Sequence, residues 1–185
     1  MTYSFSLFST GLVIGLLLLV SHLVPLFAPR ATRDFLVRFP RSEMWGRILL
    51  VLATVWTLWL VLTIDLGEFA HLRNMMAVGV IVLAGLTWKF VDEFLAVRAL
   101  AILALLAAEV LLCAAFLQPQ ISRLLLVFLA YAWIFVGLFL VGLPWLMRDF
   151  ISWVTEKKWR LMAFSLAGIF YGLALVVCAM AFYRE

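Results

Sequence analysis

Glu109 is the one ionisable side chain that the sequence places deep inside an apolar run. A carboxylate in hydrocarbon is costly to keep charged, so such a group is protonated, faces a wet cavity or binds a cation. Counting eleven residues from Arg98 at about 1.5 Å each puts Glu109 about 16 Å along its helix, close to the midplane of a core about 30 Å thick. Thr57 lies ten residues beyond Arg47 and Tyr171 eleven beyond Arg160. Three polar side chains are therefore expected at one depth. If the helices that carry them line a common centre, Glu109, Thr57 and Tyr171 form one hydrogen-bonded layer. That layer reads first as a packing device and second as a proton or cation site.

Other candidate chemistry is sparse. His22 and His71 fall at opposite ends of different apolar runs, roughly a membrane thickness apart, so one porphyrin would not bridge them and each reads as an interfacial residue. Cys113 and Cys178 sit inside apolar runs without C-x-x-C spacing, which reads as packing rather than metal or redox chemistry. The sequence has no G-x-S-x-G, no H-E-x-x-H and no Gly-rich phosphate loop. Asp92 and Glu93, with Lys89 and Arg98 nearby, read as an ion-paired bend. No catalytic residue, metal ligand or cofactor is assigned.

The elements that position these residues are spans of a membrane protein. The 185-residue chain is 68% hydrophobic and 13% charged, with a mean hydropathy of +1.19, leaving too few polar groups to cover a soluble domain. Six segments reach the roughly 20 residues needed to cross a bilayer, at about 5–27, 45–64, 72–91, 96–117, 122–144 and 160–183. They lack the alternating polarity of barrel strands, so they read as helices of a single polytopic domain over residues 1–185. The first run lacks a basic n-region and exceeds a signal core of about 7–15 residues, so it reads as a retained span.

Three charged bends, Arg33-Asp34-Phe35-Leu36, Asp92-Glu93-Phe94-Leu95 and Arg148-Asp149-Phe150-Ile151, interrupt the apolar runs. They divide the chain into three helical hairpins and also read as copies of one triplicated hairpin, the alternative being convergence on a common bend pattern. Placing the bends on one membrane face puts 11 Lys and Arg there and 3 on the other. By the positive-inside rule that face is the cytoplasmic side of a bacterial inner membrane, with both termini outside. Trp45, Trp88, Trp145, Trp153 and Trp159 lie near the same boundary, where amphipathic rings are favoured.

The first and third bends show helical spacing of apolar residues against charged ones, which predicts short amphipathic helices in the interface, the alternative being solvated basic loops that only set topology. Their Arg33, Arg38, Arg41, Lys157, Lys158 and Arg160 are candidate contacts to anionic head groups. Gly11 with Gly15, and Gly168 with Gly172, are small pairs at i and i+4 that let helices approach closely, within one monomer or between two. The functional expectation is a non-catalytic accessory subunit or scaffold that binds lipids and other membrane proteins or a second copy, with no nucleic-acid partner. The alternatives are a small proton- or cation-coupled transporter or channel using Glu109, and a lipid-head-group-interacting protein at the inner face.

Overall fold

The computed structural model describes residues 3, 5–91 and 93–183. It contains eight α-helices: α1 (Leu7–Phe27), α2 (Pro29–Arg38), α3 (Glu43–Thr63), α4 (Arg73–Phe90), α5 (Leu95–Ala115), α6 (Leu124–Gly142), α7 (Trp145–Glu156) and α8 (Lys158–Phe182). Short 3-10 turns cover Phe39–Arg41, Gly67–Leu72 and Ile121–Arg123, and no strand occurs among the described residues. Six helices are long and apolar enough to cross a membrane, namely α1, α3, α4 with its preceding turn, α5, α6 with its preceding turn, and α8. Without those turns, the bounds of the six α-helices lie within two residues of the expected spans. The chain is an all-α, multi-pass membrane protein.

Local chemistry sets where these helices begin. Ser6 caps α1 by accepting the Ser9 amide at 3.1 Å, and Ser42 caps α3 by accepting the Trp45 amide at 3.4 Å. Pro29 opens α2, where its missing N–H costs nothing, and Pro40 lies in the 3-10 turn that follows that helix. Phe94 precedes α5 with φ at 56°, a left-handed conformation unusual for a bulky residue.

α5 occupies the centre, with Ala96, Val97, Ala99, Ala101, Ala108 and Leu111 all essentially inaccessible. It packs on α6 along one side and α3 along another. The main core joins Ala108, Leu111 and Ala115 of α5 to Leu126 and Ala130 of α6, Leu175 and Ala179 of α8, and Leu7 of α1. α1 and α8 run antiparallel, since Gly11 lies beside Ala179 and Tyr183, Gly15 beside Gly172, and His22 beside Gly168. α4 is peripheral. It packs against α3 and contributes no buried residue.

The three acidic-Phe bends converge at one end of the bundle, here termed the basic end. α2 touches α7, the Arg148 guanidinium lies 5.9 Å from the Phe94 ring centroid, and Gly46 at the start of α3 abuts Leu95 and Ala96. The first and third bends contain short helices, α2 and α7, whereas in the second Glu93 and Phe94 lie directly before α5, and Asp92 of the expected ion-paired bend lies outside the described residues. The most extensive helix contacts are α1 with α8, α5 with α6 and α3 with α5, rather than between the two spans that flank each bend. Connector helices of 10 and 12 residues extend about 15 and 18 Å, more than the 8–10 Å between packed helices, so they carry the chain past its nearest neighbour. The hairpins that do pack are joined at the opposite end, α3 with α4 and α5 with α6.

Candidate functional site

Glu109 lies fourteen residues after Leu95 and six before Ala115. At 1.5 Å per residue it sits about 9 Å from the end of α5 that is remote from the basic end. α5 begins three residues before Arg98, the reference point for the depth count, and Glu109 lies four residues beyond the helix midpoint at Leu105. Thr57 has the same position in α3, fourteen residues after Glu43 and six before Thr63.

The expected hydrogen-bonded layer does not assemble. Thr57 Oγ1 donates to the Ala53 carbonyl of its own helix at 2.8 Å, the usual way a hydroxyl is satisfied in an apolar helix. Tyr171 donates instead to the Leu125 carbonyl at 2.6 Å, tying α8 to the first turn of α6. Glu109 forms no hydrogen bond or ion pair among the described residues.

Its charge is felt at Tyr3 and at Cys113 one turn on, and Tyr3 is the functional candidate that sequence reasoning misses. The segment before α1 folds against α3, burying Tyr3 to 8% exposure. Trp56 Nε1 donates to the Tyr3 hydroxyl at 2.7 Å, and the Tyr3 ring lies 5.5 Å from Trp59 and 5.9 Å from Phe5. Burial pushes the Tyr3 hydroxyl above its ordinary pKa; the Trp56 N–H opposes this, while Glu109 and then Cys113 add to it. The hydroxyl thus stays protonated and, with Trp56 as its donor, keeps its own proton to give. A carboxylate beside an aromatic-walled phenol can exchange a proton or hold a cation. No local signal links Tyr3 to Trp56, which is 53 residues away.

The four candidate packing glycines meet in one interface. A Cβ on Gly15 would stand 3.0 Å from the Gly172 carbonyl and 2.7 Å from Val176, and a Cβ on Gly11 would stand 3.2 Å from Tyr183. One on Gly168 would fall within the His22 ring, whose Nδ1 already pairs with the Leu18 carbonyl at 2.9 Å. His71 lies at the other end, its Nδ1 3.0 Å from the Glu68 carbonyl. Among the described residues no three His, Cys, Asp or Glu gather into a metal-binding group.

At the basic end, Arg33, Arg38, Arg41, Lys157 and Lys158 are exposed and without an ion pair among the described residues. Arg160 differs. Its Nη1 reaches Glu156 Oε2 at 2.8 Å and the Trp153 carbonyl at 3.0 Å, and its guanidinium lies 4.6 Å from the Trp153 ring. That charge holds α7 to α8. At the opposite end Arg73 donates to the Ile64 carbonyl at 2.7 Å and Arg123 to the Ala115 carbonyl at 3.2 Å, capping the C-termini of α3 and α5.

These features define a six-span helical bundle with a basic end and an acid near its far end. In comparisons with protein-family models, curated proteins and solved structures, the chain matches none.

Proposed function

We propose that the protein is a non-catalytic scaffold or accessory subunit of a bacterial inner-membrane complex, with the basic end cytoplasmic and both termini outside. The observation that carries this reading is α4, a long apolar helix that packs chiefly on α3 and buries none of its residues. A Cβ on Gly79 or Gly85 would meet nothing within 4 Å, so a second helix can approach the α4 backbone closely. The occupant is a transmembrane helix of another protein or of a second copy. Basic residues of α2, and Lys157 and Lys158, meet anionic lipid heads at the inner face. Purification in mild detergent followed by identification of co-purifying proteins tests the proposal. A partner or dimer lost on Gly79→Leu and Gly85→Leu supports it, and a clean monomer that complements function alone overturns it.

A second reading makes Glu109 the site of a small proton- or cation-coupled transporter or channel. It is favoured by a carboxylate without a hydrogen bond beside the Tyr3 hydroxyl. Ion flux in proteoliposomes, abolished by Glu109→Gln, supports this reading; equal flux in both proteins, or none in either, ends it.

A further inference from the structure

The cleft between α2 and the start of α3 has the chemistry of a zwitterion site. It holds about 300 Å³, within the lower range of ligand pockets, and is lined by Asp34, Phe35, Arg38, Phe39, Ser42 and Trp45. Its wall is aromatic: the Phe35 ring lies 5.8 Å from Phe39 and 6.0 Å edge-on from Trp45. Asp34 and Arg38 are one helical turn apart on α2, a spacing at which opposite charges usually join. Arg47 with Glu43 and Arg160 with Glu156, at the same spacing, close to 3.2 and 2.8 Å. Asp34 and Arg38 do not pair with each other or with any described residue, so a carboxylate and a guanidinium both remain available in one cleft.

The ligand class follows from that charge pattern. A simple anion would satisfy Arg38 but meet Asp34, and a simple cation would meet Arg38 with Arg33 and Arg41 nearby. A phosphate joined by a short linker to an ammonium satisfies both. Guanidinium and phosphate form short charge-assisted hydrogen bonds, and an ammonium with N–H donors does the same with a carboxylate. The Phe35 and Trp45 rings suit the ammonium and its methylene linker. Ser42 Oγ accepts the Trp45 amide and retains its own proton for a phosphate oxygen. α2 joins two spans at the basic end and buries none of its residues, which places this cleft at the level of lipid head groups.

We propose that this cleft binds the head group of phosphatidylethanolamine, with the phosphate on Arg38 and Ser42 and the primary ammonium on Asp34. The proposal rests on the bundle crossing a membrane and is independent of any partner at α4.

The test is native mass spectrometry of the delipidated full chain titrated with phosphatidylethanolamine, its mono- and dimethyl derivatives, phosphatidylcholine and phosphatidylglycerol. One phosphatidylethanolamine should be retained about ten-fold more tightly than phosphatidylcholine, the effect of one charge-assisted hydrogen bond, with affinity falling along the methyl series. Asp34→Asn should remove that preference while sparing phosphatidylglycerol, and Arg38→Gln should weaken all the phospholipids. Lys157→Gln with Lys158→Gln, outside the cleft, should leave the preference intact. Equal retention across the methyl series by the unmodified protein overturns the proposal without reference to any variant. So does phosphatidylglycerol binding as tightly as phosphatidylethanolamine, or Asp34→Asn keeping the preference.

Discussion

Gly15 and Gly172 face each other across α1 and α8, and a side chain on either would meet the other's backbone carbonyl, at 3.0 and 2.9 Å respectively. Apolar surface gains nothing by leaving lipid, so close backbone contact of this kind is a main source of helix association. The two small pairs read from sequence are the two sides of one intramolecular seam, which leaves neither free for a dimer.

Gly172→Leu should therefore lower stability by about 1–3 kcal/mol through overpacking against backbone that cannot yield. Gly85→Leu, in open space on α4, should leave stability unchanged. Thermal unfolding of both variants in one detergent checks the contrast, and equal losses would refute the assignment of the seam.

Trp56→Phe removes the donor that holds the Tyr3 hydroxyl. The expected cost is about 1 kcal/mol, expressed locally in the segment that Tyr3 ties to α3. Hydrogen exchange in residues 5–10 should rise while α5 stays protected. Tyr3→Phe should cost more, about 1–3 kcal/mol, since it leaves the indole N–H without its acceptor.

Arg123→Gln should loosen the last turn of α5, whose Ala115 carbonyl the guanidinium caps. A loss of about 1 kcal/mol is expected from the cap and the helix dipole together. Faster amide exchange over residues 112–116, with no change in the first turns of α5, is the measurable result. Arg73→Gln should act likewise at the end of α3.

Arg160→Lys tests whether the fork of the guanidinium matters or only its charge. Lysine can reach Glu156 but cannot hold that carboxylate and the Trp153 carbonyl while stacking on the Trp153 ring. A drop of about 1–2 kcal/mol, with increased protease access to the α7–α8 junction, is expected. An unchanged thermal midpoint would show that charge alone suffices.

The spans were legible because length and apolarity are local properties that a bilayer enforces, and α2 and α7 because their apolar residues recur at helical spacing. The order of packing was not. Nothing local in Gly15 names Gly172 as its partner, and the length of α2 and α7, which sends neighbouring spans apart, matters only in three dimensions. Glu109 and Thr57 hold the same position within their own helices, but the hydrogen bonds expected between them do not form. A threonine in a helix finds its own carbonyl one turn back before it finds a neighbour, as Thr57 finds Ala53. Arg73 and Arg123, for which the sequence suggests no role, serve as caps for the helices that precede them.

The pairing of α1 with α8 also dictates a schedule. Ribosomal synthesis delivers α1 to the membrane before its seam partner, which emerges more than a hundred residues later. Throughout that interval the glycine face of α1 lies against lipid or against an insertion factor. Closure of this seam is then a late event in biogenesis, and a chain cut short before α8 leaves α1 without its partner.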